Sequence, residues 1–188
     1  MGSAGSKARV TSSAAASPSS NRGNFHVFLS FRGPDVHNTF LAHLHHALER
    51  EGVRTYVDRE DLRAGDEIMP ALRRAISDSR IAIVIFSVNF ASSCWCLDEL
   101  AEIVDHGKRG KLLVKPVFYR VEPREVRTPR FSFAKALDAH ELKLGKDSGM
   151  LRRWREALYE AGNLSGWHLD VDGYVPHLLL LWIVRDGR

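Results

Sequence analysis

The stretch SSCWCLDEL, residues 92–100, brings two thiols, an indole and two carboxylates into nine positions. Its cysteines, Cys94 and Cys96, are the only two in the chain. Cysteines two residues apart are too close for an easy disulfide, and two thiols are too few for a structural zinc site, which takes about four ligands. We therefore expect reduced, intracellular thiols rather than a disulfide or a structural zinc site.

Trp95 and Glu99 are four residues apart, so a helix would place the indole and the carboxylate on the same face. Asp98 would point about 100° away, and we expect it to face water. This arrangement fits a catalytic Glu99 in a sheltered cleft. It also fits a core tryptophan with a carboxylate that only complements the helix dipole, and the pattern alone leaves both interpretations open.

A second reactive stretch is SFRGPD, residues 30–35, which follows a strand-like run. It offers an aromatic ring, a guanidinium and a glycine at Phe31, Arg32 and Gly33. We interpret it as a loop at a strand exit, suited to stacking on a base or ring and to holding a phosphate.

Strand-like runs alternate with helix-period segments from residue 25 onward. The strands are predicted at 25–31, 53–58, 80–87 and 111–121. Helices are predicted at 35–52, 68–78, 131–146 and 151–162, and from Pro176. A further helix, in the segment that follows the third strand, is predicted to end at Gly107 or Gly110. This alternation predicts an α/β domain with a parallel sheet, in which ligands collect beyond the carboxyl ends of the strands. If the first and third strands are neighbours, as in a flavodoxin-like order, the two reactive stretches face each other across one cleft.

The basic composition favours anionic partners. The net charge is +4, and 20 of the 27 basic residues are arginine, whose planar guanidinium matches phosphate and carboxylate. The longest apolar run, residues 178–184, falls far short of the roughly 20 residues that cross a bilayer, so we expect no transmembrane segment.

Residues 1–24 are rich in Ser, Ala and Gly and contain no acid, so we interpret them as a disordered tail. The start, MGSAGSK, fits the pattern for N-myristoylation at Gly2. A low-complexity leader or a transit peptide fits the same residues.

Five motifs give the chain a family resemblance. They are FHVFLSFRGPDV, YVDREDLRAGDEI, SRIAIVIFSVNFASSCWCLDELAEI, VKPVFYRVEPREVR and LSGWHL. In this order they resemble the Toll/interleukin-1 receptor (TIR) domain of plant immune receptors, from about Phe25 to Trp167. The resemblance implies a flavodoxin-like fold, a five-stranded parallel sheet flanked by helices, with the TIR domain at 25–170 and a short C-terminal helical extension at 171–188.

The resemblance also implies an activity. Plant TIR domains are similar to enzymes that cleave NAD between nicotinamide and ribose, and the essential glutamate falls on Glu99. Substrate contacts fall on Phe31, Arg32, Gly33, Ser93 and Trp95. NAD, or NADP, would be the substrate and no cofactor would be needed. The ADP-ribose or cyclic products would act through lipase-like immune signalling proteins, in the cytoplasm or nucleus, to promote defence and the hypersensitive response.

Self-association is a further implication. The loop 58–67, which includes Asp58 and Gly65, matches the family's mobile loop that docks on a neighbouring subunit, and His43 matches a self-association surface. Three positions depart from the family pattern: His37, Ala42 and Ala64. His43 and His46 have the spacing of a metal pair, but no third ligand is evident, so we expect no metal site.

Two other classes of function stay open. One is a TIR adaptor that recruits other TIR domains without turnover, and the other is a TIR filament that processes RNA or DNA. The chain contains no G-x-x-x-x-G-K-[ST] phosphate loop, so we expect a TIR-only protein or a fragment with that domain alone.

Overall fold

The computed structural model describes residues 26–36, 40–57, 68–170 and 175–187. Its centre is a five-stranded parallel sheet with the strand order β2-β1-β3-β4-β5. The strands are β1 Val27–Phe31, β2 Thr55–Val57, β3 Ile81–Phe86, β4 Leu113–Tyr119 and β5 Trp167–Leu169. The predicted flavodoxin-like parallel sheet is confirmed, and β1 and β3 are neighbours as the cleft hypothesis requires.

Helices cover both faces of this sheet. They are α1 Gly33–Val36, α2 Ala42–Arg50, α3 Ile68–Ser77, α4 Cys94–Lys108, α5 Pro123–Arg127, α6 Phe131–Leu144, α7 Gly149–Asn163 and α8 His177–Gly187. A 3₁₀ turn at Phe90–Ser92 precedes α4. Among the described residues, no helix is long and apolar enough to span a bilayer.

The central strands are apolar along their whole length because each face packs against a layer of helices. Every residue of β1 and β3 is buried. Alternate residues enter two separate cores: Val27, Leu29 and Phe31 pack with α2 and α8, whereas Phe28 packs with α3, α4 and α7. Since successive side chains of a strand point to opposite faces, Ser30 lies on the α4 side. It is the one polar residue of β1.

Two local features differ from the sequence expectations. Gly33 and Pro34, predicted to lie in a loop, belong to a helical turn over 33–36, since Pro34 has the backbone geometry that a first helical turn needs. β5 and α5 are only three and five residues long, too short for a hydrophobic period to reveal. The helix predicted over 35–52 is described as α1 and α2, with 37–39 outside the described residues.

Candidate functional site

The carboxylate of Glu99 lies at the carboxyl end of β1. Ser30 Oγ donates a hydrogen bond to Glu99 Oε2 over 3.1 Å, across 69 residues of sequence. Both side chains are buried, and only 1% of Glu99 is exposed. The structure thus brings the predicted catalytic carboxylate next to the stretch 30–35, as the sequence analysis anticipated.

Helix α4, which carries this carboxylate, begins with a side-chain cap. The Ser93 side chain accepts a hydrogen bond from the backbone N–H of Cys96, which satisfies one of the free donors of the first turn. Trp95 follows, half-buried against the core on the α4 side. One turn later, Glu99 faces β1.

Cys96 also connects α4 to β1, because its Sγ lies 3.6 Å from the Phe31 carbonyl oxygen in a buried contact. Cys94, by contrast, is exposed. A thiol is a weak donor, so this contact adds a small tie to what is mainly a buried apolar side chain. Neither cysteine has a partner thiol.

The stretch 30–35 does not offer its aromatic ring to a ligand. Phe31 is 3% exposed and packs with α2 and α8, on the opposite face of the sheet from Glu99. In this conformation a base cannot stack on that ring. Gly33 is buried in α1, whereas Arg32 is half-buried and keeps part of its guanidinium at the surface.

Asp35 joins Arg32 to the exit of β3. Its Oδ1 accepts from Arg32 Nη1 at 2.7 Å and from Asn89 Nδ2 at 3.2 Å. Its Oδ2 accepts from Ser87 Oγ at 2.6 Å and from the Asn89 backbone N–H at 3.0 Å. Desolvation raises the pKa of this carboxyl, but the hydrogen bonds from Ser87 and Asn89, together with the charge of Arg32, outweigh burial and lower it below its usual value.

The expectation that Asp98 faces water is wrong. Asp98 is half-buried, and Trp154 Nε1 on α7 donates to its Oδ1 over 2.7 Å. A buried indole needs a partner for its N–H, and Asp98 supplies it. The His140 ring packs edge-on against Trp154 at 5.1 Å, and its Nε2 lies 3.0 Å from the Ala91 carbonyl oxygen. These contacts hold the 3₁₀ turn that leads into α4.

Some of the predicted residues lie away from this site or beyond the described part of the chain. His43 is exposed on α2, as are Ala42 and His46. Asp58, Gly65, Ala64 and His37 lie outside the described residues. Within the ranges that the structure describes, no three His, Cys, Asp or Glu side chains are grouped as metal ligands.

Ser30 and Asp35 are functional candidates that the sequence reasoning did not single out. Ser30 could have been found from its position in a buried strand, because a buried hydroxyl requires a hydrogen-bond partner. For Asp35, the three-residue spacing from Arg32 would have predicted the ion pair in a helical turn. Its bonds to Ser87 and Asn89 could not be read from spacing.

A cavity of about 270 Å³ lies elsewhere, near the amino end of β4. Leu113, Leu164 and Val104 line it, with Lys108 and Glu160 at its border. Most of the lining residues are apolar. The Lys108 ammonium group is paired with Glu156 and Glu160, at 2.8 and 3.3 Å. The chemistry of the side chains therefore places the candidate site at Glu99 rather than at this cavity.

Comparisons with known proteins give a consistent result. The model of the TIR domain family matches residues 24–175. TMV resistance protein N of Nicotiana glutinosa is 47% identical over 152 residues, which cover 81% of this chain and 13% of that protein. Disease resistance protein RPV1 of Vitis rotundifolia is 46% identical over 164 residues, which cover 87% of this chain and 11% of that protein. The chain thus corresponds to a small part of these relatives.

Among solved structures, the chain is similar to the TIR domains of the activated Roq1 resistosome that directly recognises the pathogen effector XopQ. The TM-score is 0.71 and the sequence identity is 43%, over 78% of this chain and 88% of that chain. The flavodoxin-like sheet described above is therefore matched by a protein of experimentally determined structure.

Proposed function

Since the chain belongs to the TIR domain family, with plant disease resistance proteins among its relatives, we propose that it is an NAD glycohydrolase of plant innate immunity. The proposed reaction cleaves the bond between nicotinamide and ribose. NAD is the substrate, NADP is a second candidate, and no cofactor takes part.

The observation that carries this proposal is the position of the Glu99 carboxylate. It lies 3.1 Å from Ser30 Oγ, at the carboxyl end of a central strand. Ligands of open parallel sheets bind at this edge, where neighbouring connections diverge. The adjoining Arg32 supplies a partly exposed cation that can meet the pyrophosphate of the substrate.

One carboxylate is sufficient for this reaction. The nicotinamide ring of NAD carries a positive charge, so when its bond to the anomeric carbon breaks, the electron pair moves to the ring nitrogen and nicotinamide leaves as a neutral molecule. Ordinary glycosides need a second carboxyl group to protonate the leaving oxygen. Here Glu99 holds the ribose hydroxyls and stabilises the positive charge that develops on the sugar. Water then adds to the anomeric carbon and loses its proton, which gives ADP-ribose.

Burial of Glu99 requires a structural change before the substrate can reach it. Only 1% of the side chain is exposed, so side chains at the mouth of the site must move. Half-buried Trp95 lies one turn before Glu99 on α4, and half-buried Ser93 is the N-cap of that helix; we propose that both line the opened site. Self-association, which brings residues of a second copy to this edge, is the proposed cause of the opening. The Roq1 structure, which shows TIR domains within an activated resistosome, supports this part of the proposal.

Incubation of the purified chain with NAD tests the proposal. At high protein concentration the parent releases nicotinamide, and mass spectrometry of the ribosyl product shows whether it is linear, cyclic or transferred. Glu99→Ala releases none, with its folding verified by thermal unfolding. Equal release from the mutant would assign catalysis to another residue.

An inactive parent, even when oligomerised, would instead favour a non-catalytic TIR scaffold. A filament that processes RNA or DNA is recognised by its dependence on salt, because contacts to several phosphates weaken steeply as salt rises. The same samples can therefore be titrated with single-stranded and duplex nucleic acid at two salt concentrations.

A further inference from the structure

Asp35 is an extensively bonded side chain at the carboxyl edge of the sheet. Its two oxygens accept four hydrogen bonds, from Arg32 Nη1, Asn89 Nδ2, Ser87 Oγ and the Asn89 backbone N–H, at distances from 2.6 to 3.2 Å. The carboxylate side chain is 10% exposed. Bonds from charged or backbone donors to a carboxylate are the stronger kind, so the group is firmly held.

These donors come from two different connections. Arg32 belongs to the exit of β1, whereas Ser87 and Asn89 belong to the exit of β3, more than 50 residues later. The two strands pair in register up to Phe31 and Ile85, and Asp35 continues the link beyond the last paired residues. The carboxylate therefore acts as a clamp between the two connections that border the candidate site.

Each side of this clamp leads to a group that the proposed reaction uses. On one side, the Arg32 guanidinium is held by Nη1, which leaves its other nitrogens to meet an anion. On the other side, the β3 exit runs through the 3₁₀ turn to Ser93, the N-cap residue of the helix that carries Glu99. Asp35 touches neither Glu99 nor Ser30 in the described contacts, so its influence passes through these neighbours.

We propose that Asp35 is a positioning residue: it is held by Ser87 and Asn89 of the β3 exit, and it orients the Arg32 guanidinium toward the substrate pyrophosphate. This inference rests on the proposed function, because the pyrophosphate belongs to the proposed substrate. Asparagine cannot replace the clamp. It has one acceptor oxygen, and its NH₂ group would face donors.

A double-mutant cycle on the intact chain tests the proposal. Initial rates of nicotinamide release give kcat and KM for the parent, Asp35→Asn, Arg32→Ala and the double mutant. Misplacement of a binding group costs about 100-fold in kcat/KM, and we expect most of that loss in KM. In the Arg32→Ala background, Asp35→Asn should lower kcat/KM by less than about threefold, because the residue that Asp35 positions is already gone.

Asp105→Asn is a matched control. Asp105 also accepts a 2.7 Å bond from an arginine, Arg153, but on the surface of α4 and α7. This variant should keep the parent kcat and KM. Sedimentation of all variants at the assay concentration verifies that they share one oligomeric state.

The outcomes separate the two proposals. Parent-like KM in Asp35→Asn, or equal losses from Asp35→Asn with and without Arg32, would overturn the positioning role while the NAD reaction stands. A parent that releases no nicotinamide would overturn the proposed function and this inference together.

Discussion

The hydrogen bond between Ser30 and Glu99 shows how one hydroxyl can orient a buried carboxylate. Ser30 projects from a buried strand into the helix layer, where an apolar residue would be expected. Its hydrogen bond selects one position of the Glu99 side chain. A buried polar residue within an apolar strand is costly unless it is bonded, and Glu99 supplies the partner that Ser30 needs.

Substitution of Ser30 by alanine tests this interpretation. We expect Ser30→Ala to lower the free energy of unfolding by about 1 kcal/mol, the usual net contribution of one hydrogen bond. We also expect kcat for nicotinamide release to fall about tenfold, equivalent to about 1.4 kcal/mol of transition-state stabilisation. Denaturant unfolding and initial rates measure the two effects.

Ser79→Ala is the matched control, since Ser79 is also buried and donates to a backbone carbonyl, that of Ala75, over 2.8 Å. It should lose similar stability and keep the parent kcat. Equal kcat in Ser30→Ala and the parent would show that the hydroxyl does not orient the carboxylate.

At the scale of secondary structure, the sequence predicts the elements that have a clear hydrophobic period. The runs around β1, β3 and β4 and the helices α4, α6 and α7 lie within a few residues of their predicted limits. The fifth strand is predicted only by the family resemblance, because a strand of three residues is too short to show an alternating hydrophobic pattern. Asp98 was misplaced for a different reason: its partner, Trp154, lies 56 residues away, and no local pattern encodes a contact of that kind.

The packing of α7 against α5 also depends on a residue without a side chain. A Cβ at Gly162 would lie 2.6 Å from the Arg127 backbone nitrogen and 2.7 Å from its Cα, closer than van der Waals contact. The two helices therefore approach at a distance that only glycine permits. Since α7 also carries Trp154, which bonds Asp98 on α4, this packing supports the helix of the candidate site.

We expect Gly162→Ala to lower the free energy of unfolding by about 1–3 kcal/mol, the usual cost of overpacking. Alanine favours helices over glycine by about 1 kcal/mol, so a loss of stability would report the clash and not helix propensity. Gly149→Ala, in the first turn of the same helix, is the control, since a Cβ there meets only the end of Arg152 at 4.0 Å. It should be neutral or stabilising. A stabilised Gly162→Ala would show that the helices can separate without cost.

For the whole molecule, the proposed activity should depend on assembly, because Glu99 is buried in the single copy. We expect the nicotinamide released per molecule to rise with protein concentration and to reach a plateau once the chain has associated. This dependence is measured from initial rates over a roughly 100-fold dilution series. Sedimentation at each concentration gives the oligomeric state. A constant rate per molecule across the series would show that a single copy is competent.

If the Glu99 carboxylate performs the cleavage of NAD, as proposed, two isosteric substitutions on α4 should differ sharply in their effect on nicotinamide release. Glu102 lies three residues further along α4, is buried, and is held by Arg73 and Arg153 at 3.1 and 3.0 Å. With both variants folded and in the parent's oligomeric state, nicotinamide release is measured for Glu99→Gln and Glu102→Gln. We expect no release above background from Glu99→Gln and near-parent release from Glu102→Gln. Parent-like release from Glu99→Gln would contradict the assignment.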